Sequence, residues 1–114
     1  MARTQSELVE RTLQKIGVLE ANEPIDASDD ALVDKIYTDL LEDLRDEGLV
    51  YWDANAIPNV VFLAMVEVLG SKIMPEFGIN DIQIQAAYEA SGTRRLRKHI
   101  AKKRSSEPVR SQYF

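Results

Sequence analysis

Hydrophobic residues are densest in the stretch IPNVVFLAMVEVLGSKIM, which begins at Ile57 and ends at Met74. Four residues spaced four apart form one stripe: Val61, Met65, Leu69 and Ile73. Three more hydrophobic residues widen this stripe: Phe62, Leu63 and Val66. A helix that is apolar on nearly all sides is typically buried. Proline suits a first helical turn but not a helix interior. The pattern therefore predicts a buried central helix from Pro58 to Met74, ended by Pro75.

A shorter amphipathic helix is predicted near the N-terminus. Thr4 and Glu7 have the spacing of a capping box, in which each side chain bonds to the other residue's backbone N–H. Apolar and small residues then share one helical face: Leu8, Val9, Thr12, Leu13 and Ile16. Gly17 can adopt the left-handed conformation that closes a helix. We expect this helix from Gln5 to Ile16.

The second helix is predicted to start near Asp26 or Ser28, either of which can cap it, and to end at Gly48. Two adjacent rows of hydrophobic residues face the core: Leu32, Ile36, Leu40 and Leu44, beside Val33, Tyr37 and Leu41. The other side carries mostly acidic residues: Asp34, Lys35, Asp39, Glu42, Asp43 and Asp46. This face is either solvated or a contact between subunits.

The segment from Leu49 to Ala56 has the length of a short strand or a structured loop. It contains Trp52, the single tryptophan of the chain. Because the tryptophan side chain is large and apolar, we expect Trp52 to be buried at one end of the helical core with its indole N–H hydrogen-bonded. The alternative is an exposed anchor at an interface.

A long fourth helix is predicted after Asn80 or Asp81, either of which can cap it. We expect its packing stripe to consist of small residues: Ile82, Ala86, Ala90 and Thr93. Gly92 costs roughly 1 kcal/mol against alanine inside a helix, so it either bends the helix or allows a close approach. The end of this helix is strongly basic, and the last ten residues, SSEPVRSQYF, lack any period and are expected to be extended.

Together these elements predict an all-α fold, a small bundle of about four helices with a buried central helix. The domain spans residues 1–104, and residues 105–114 form an extended C-terminal tail.

The chain of 114 residues contains no cysteine, which excludes disulfides and thiolate metal sites. The N-terminal residues lack the apolar core of a signal peptide, so we expect a cytoplasmic location. The apolar run in the central helix is far shorter than the roughly 20 residues that span a bilayer, so no membrane association is expected.

Charge is distributed unevenly along the chain. Residues 1–93 carry 6 basic and 18 acidic side chains, whereas residues 94–114 carry 8 basic and 1 acidic. An acidic body with a basic end suggests an interaction. The basic run could be a solvated helix end, a contact to a phosphate backbone, or a surface that docks on an acidic partner.

Catalytic chemistry is not indicated. The chain lacks a glycine-rich phosphate loop and a nucleophile elbow. His99, the single histidine, has no second histidine or cysteine with which to bind a metal, and it is expected to be a surface residue. Acidic pairs such as Asp29 and Asp30 could serve a glycosidase or a hard metal, but nothing distinguishes one pair. We expect no enzyme activity, no cofactor and no metal.

Four stretches resemble the helical head-to-tail adaptor, or head completion, proteins of tailed bacteriophages, which include the tail accessory factors. They are TQSELVERTLQKIGVL from Thr4, LLEDLRDEGLVYW from Leu40, IPNVVFLAMVEVLGSKIMPEFGI from Ile57, and the long last helix with its basic end. The resemblance is one of order and spacing along most of the chain.

The resemblance implies a structural virion protein assembled in the host cytoplasm. It implies a ring, usually of twelve copies, that joins the portal to the tail or nozzle protein while packaged DNA passes through without sequence-specific binding. The residues assigned to portal docking are Arg94, Arg95, Arg97, Lys98, Lys102, Arg110, Gln112, Tyr113 and Phe114. The alternative function is a small nucleic-acid-binding regulator that uses the basic helix.

Overall fold

The computed structural model describes residues 2–106, which form four α-helices and one very small sheet. The helices are α1 (Gln5–Lys15), α2 (Ala27–Asp46), α3 (Asn59–Ile73) and α4 (Ile82–Ser106), and a 3-10 turn, Met74–Phe77, follows α3. Strands β1 (Ala2–Arg3) and β2 (Ile57–Pro58) pair antiparallel. The predicted all-α bundle of four helices is confirmed, and the two-residue strands were not predicted.

Helix α1 begins at the predicted capping box. The Glu7 N–H donates to Thr4 Oγ1 at 3.2 Å, and the Thr4 N–H donates to Glu7 Oε1 at 3.0 Å. The bond from the Thr4 backbone and the neighbouring Arg3 guanidinium hold the pKa of the Glu7 carboxyl below its usual value. The helix closes at Gly17, whose φ of 85° is the left-handed conformation expected there. The predicted bounds of this helix are therefore confirmed to within a residue.

Helix α2 buries the predicted core rows through Val33, Tyr37, Leu40, Leu41 and Leu44. Asp26 is the capping residue, but its carboxylate accepts a bond from the Ser28 hydroxyl at 2.6 Å and not from the helix backbone. The acidic side of α2 is exposed to solvent in the single chain except at Asp34, which is partly buried and accepts a hydrogen bond from Gln5 Nε2 at 2.9 Å.

Helix α3 is the central helix, and it packs against each of the other three. Leu69 and Met65 are fully buried, as predicted. The predicted bounds, about Pro58 to about Met74, are confirmed to within a residue, with Pro58 as the capping residue before the helix. Pro58 also belongs to β2, where it pairs with Ala2. Leu63, which was predicted to lie in the buried helix surface, is half exposed.

Helix α4 uses a different face from the one predicted. Ile82, Ala86 and Ala90 are exposed, whereas Gly92 and Leu96 are buried. A β-carbon built on Gly92 would lie 2.5 Å from Val68 Cγ2, so the two helix backbones approach closely at this position. The stripe was misplaced because a hydrophobicity pattern gives no weight to glycine, but the close approach that Gly92 was expected to allow is confirmed.

Helix α4 continues through Ser106, past the boundary predicted at residue 104. The rest of the predicted tail lies outside the described residues. Within residues 2–106, every helix is too short or too polar to cross a membrane.

Candidate interaction surfaces

The end of α4 presents one stripe of cations to solvent. Arg94, Lys98 and Lys102 lie four residues apart and are exposed. Residues at this spacing share one face of a helix. Within residues 2–106, none of the three makes a hydrogen bond or an ion pair. These side chains are therefore available to an anionic partner.

Two of the predicted docking residues form ion pairs with neighbouring elements. Arg95 Nη1 lies 2.7 Å from Glu67 Oε1 of α3, and the Ser91 hydroxyl donates to the same oxygen at 3.2 Å. Arg97 Nη2 lies 3.7 Å from Glu47 Oε1, beyond the end of α2. Exposed ion pairs contribute little free energy individually, but these two orient α4 against its neighbours. The structure thus separates Arg95 and Arg97 from the free stripe.

The remaining predicted docking residues, Arg110, Gln112, Tyr113 and Phe114, lie outside the described residues.

A cleft of about 560 Å³ lies between α2 and α4, with α3 at its base. Its floor is apolar and includes Leu40, Leu44 and Val68. The α2 side of the cleft carries Asp43, whereas the α4 side carries Arg94 and Arg97. Asp39 lines a neighbouring recess that shares Leu40 and Asp43 with the cleft. Across the base, Lys72 Nζ lies 2.8 Å from Glu89 Oε2. We call the exposed acidic side of α2 that borders this cleft, Asp39, Asp43 and Glu47, the acidic flank.

A second recess lies on the other side of α4. A hollow of about 150 Å³ between α1, α3 and α4 is lined by Arg11 and Lys15 of α1. Lys15 Nζ lies 5.6 Å from the centre of the Tyr88 ring. The half-exposed Leu63 also lines this hollow. We call Arg11, Lys15 and Leu63 the basic flank.

Sequence reasoning missed the basic flank. Arg11 and Lys15 lie four residues apart on the polar side of α1, and this spacing could have been recognised in the sequence as two cations on one helix face. Leu63 could not have been recognised in this way, because it belongs to a helix that is apolar on nearly all sides.

The loop of residues 49–56 closes one end of the bundle, and it contains no strand. Tyr37 Oη donates to Ala54 O at 2.8 Å, and Arg45 Nη2 donates to Trp52 O at 2.9 Å. Trp52 is buried as predicted, but the prediction that its indole N–H is hydrogen-bonded is wrong, because Nε1 has no partner within the described residues. Two side chains of the α2 helix therefore hold the loop that covers the core.

His99 is half-buried beside this loop, so its expected surface position is only partly correct. Its Nε2 lies 3.0 Å from Tyr51 Oη, and the two rings stack with centroids 5.9 Å apart. Lys103 Nζ lies 4.9 Å from the centre of the Tyr51 ring. These contacts attach the loop to the end of α4.

Burial raises the pKa of Tyr37 from 10.0 to about 12, while the nearby Arg45 acts in the opposite direction. The phenol therefore ionises in the unfolded chain before it ionises in the folded protein. Its contribution to stability is complete below pH 10 and is lost as the pH rises from 10 through about 12. We expect urea unfolding midpoints to fall over this interval, and the fall should be smaller for Tyr37→Phe. An equal fall in both proteins would contradict the assignment.

Among the described residues, no group of three or more histidine, cysteine, aspartate or glutamate side chains is arranged to hold a metal ion.

The chain matches no family model, and neither a curated protein nor a solved structure matches it.

Proposed function

We propose that this protein is a structural head-to-tail adaptor of a tailed bacteriophage. In this role, copies form a ring beneath the portal and connect it to the tail or nozzle protein. The packaged DNA passes through the ring without sequence-specific binding. The protein is assembled in the host cytoplasm and resides in the virion, and it acts without enzyme activity or cofactor.

The observation that carries the proposal is the free cationic stripe at the end of α4. Arg94, Lys98 and Lys102 are exposed, and the helix that carries them continues to Ser106, directly before residues 107–114. An adaptor must project a binding segment from a stable domain, and a long helix with free charges before a terminal segment has this form. The resemblance of the sequence to phage adaptors supplies the class of partner.

The four stretches that carry the resemblance coincide with structural elements. They correspond to α1 and its closing turn, the end of α2 with its loop, β2 with α3 and the following turn, and α4. The resemblance therefore extends over the elements that build the core.

Deleting residues 107–114 tests the docking segment. We expect the helical circular dichroism signal and the melting temperature to change little, because a terminal sequence without a hydrophobic period adds little to a core. Portal binding should be lost or greatly weakened. Tyr113 and Phe114 should account for much of the loss, since aromatic residues commonly dominate interfaces. Arg110 adds a charge-assisted contact. Binding is measured by co-sedimentation with purified portal.

The matched comparison is Lys98→Glu combined with Lys102→Glu in the full-length chain. Normal portal binding by the truncated chain, with loss of binding by the charge-reversed chain, would assign docking to the helix and remove the tail from the proposal. Phage carrying the truncated gene should yield filled heads without tails in electron micrographs.

The function as a whole is tested by native mass spectrometry of the chain with and without portal. A defined number of chains bound to each portal ring is the expected result. A chain that never associates with the portal would overturn the proposal.

The same free stripe also favours a second candidate, a small helical regulator that binds nucleic acid through α4. If Arg94, Lys98 and Lys102 each neutralised one phosphate, the slope of log K against log salt would be roughly −2.7 for duplex DNA. An adaptor whose docking depends on aromatic side chains should lose less affinity with salt. Titrating duplex DNA and portal at several salt concentrations separates the two candidates.

A further inference from the structure

The flanks on the two sides of α4 are complementary in charge and in form. The acidic flank borders a cleft with an apolar floor that includes Leu40 and Val68. The basic flank carries Leu63, whose side chain is 50% exposed. On one flank a hydrophobic side chain lies beside two cations, and on the other an apolar recess lies beside carboxylates.

The charges on both flanks are spaced alike. Asp39 and Asp43 lie four residues apart on α2, and Arg11 and Lys15 lie four residues apart on α1. Four residues correspond to about 6 Å along a helix axis, so two ion pairs can form in register when these helices lie side by side. All four side chains are exposed. Within the described residues, none of them forms an ion pair inside its own chain.

The flanks cannot meet within one molecule. The cleft of the acidic flank contains residues of α2, α3 and α4, whereas the hollow of the basic flank contains residues of α1, α3 and α4. The α3 and α4 helices therefore stand between the two flanks. Complementary patches on different sides of one chain generate a head-to-tail contact between copies, in which each copy uses both patches.

We propose that the basic flank of one copy docks in the acidic flank of the next. Leu63 enters the cleft over Leu40 and Val68, while Arg11 and Lys15 pair with Asp39 and Asp43. The occupant of the cleft is thus a second copy of this chain. The inference rests on the proposed function and deepens it, because it names the contact between neighbouring adaptor copies and leaves Lys98, Lys102 and residues 107–114 for the portal, while Arg94 borders the cleft.

Charge reversal provides the test, with sedimentation velocity at low ionic strength and millimolar protein as the measurement. Reversing the basic flank (R11E with K15E) makes both flanks acidic, and reversing the acidic flank (D39K with D43K) makes both basic. Each variant alone should self-associate at least roughly tenfold more weakly than the native chain, because like charges then face each other.

Two restored combinations distinguish docking from a general effect of charge. The two reversed variants mixed together should associate again, since one contact is native and the other has its charges exchanged. A chain carrying all four substitutions should also associate. The control is E10K with D53K, which changes two exposed residues outside both flanks and alters net charge as much as D39K with D43K. This control should behave as the native chain.

Leu63→Ala tests the apolar part of the contact. It should weaken self-association at unchanged circular dichroism and melting temperature, because the side chain is half exposed in the single chain. High salt should weaken the contact of the native chain by screening the ion pairs.

Three outcomes would overturn the inference. They are a native chain that stays monomeric under these conditions, self-association that the reversals do not change, and loss of association that neither combination restores. In each case portal binding of the native chain is measured separately. If the native chain still binds the portal, only the proposed contact between copies is refuted. If it does not bind the portal, the adaptor function itself is refuted.

Discussion

Replacing Leu69 by alanine is expected to lower the free energy of unfolding by roughly 2 to 5 kcal/mol. Leu69 is fully buried in the middle of α3, the helix that contacts each of the other three. Its removal leaves a cavity that the surrounding helices can fill only in part. Because small domains are stable by roughly 5 to 15 kcal/mol, the loss is a large share of the total. Urea unfolding followed by circular dichroism measures it.

Leu63→Ala is the matched control, because it makes the same chemical change on the same helix. Leu63 is 50% exposed, so its truncation creates no enclosed cavity. The substitution should cost well under 1 kcal/mol of unfolding free energy, as surface substitutions usually do. Equal losses for the two variants would show that α3 is not the centre of the core.

Replacing Gly92 by alanine is expected to destabilise the protein by roughly 1 to 3 kcal/mol, even though alanine is the better helix former. The added β-carbon would lie 2.5 Å from Val68 Cγ2 and 2.8 Å from the backbone oxygen of Ala64. Val68 can rotate, but the Ala64 carbonyl belongs to a helix and cannot withdraw without moving α3. The cost should appear as a lower unfolding midpoint and a lower melting temperature.

Gly70→Ala is the comparison for this variant, since Gly70 is also buried inside a helix. Its added β-carbon would lie 3.4 Å from Ile16 Cγ2 and farther from its other neighbours, which is ordinary van der Waals contact. Alanine should therefore stabilise α3 there by up to about 1 kcal/mol. Opposite signs at the two glycines are the expected result. A stabilising Gly92→Ala would refute the close approach of α3 and α4.

Local physics in the sequence determined where most of the helices begin and end. The capping box of Thr4 and Glu7, the left-handed glycines at positions 17 and 48, and the hydrophobic rows of α2 act within a few residues of the chain. Such interactions are readable without knowledge of the fold. The central position of α3 also followed from the sequence, because a helix with so much apolar surface must be covered by others.

The packing face of α4 was decided by the tertiary structure. Its apolar side chains alone favoured the stripe through Ala86 and Ala90, yet that stripe is exposed. The helix instead turns Gly92 toward α3, because the absence of a side chain there lets two backbones come together. The sequence marked Gly92 as a position where another helix could come close, but the pattern of hydrophobic side chains did not show that this position lies at the centre of the contact.

The candidate surfaces were also predicted from the sequence only in part. The basic character of α4 was evident in the sequence, as was the acidic side of α2. Which cations remain free depended on the neighbours of α4, because Glu67 and Glu47 lie within reach of Arg95 and Arg97 but not of the outward stripe. The basic flank likewise joins α1 to a residue of α3 that is distant in sequence. Charge is a property of single residues, whereas pairing depends on distances between helices, and those distances are set only when the core packs.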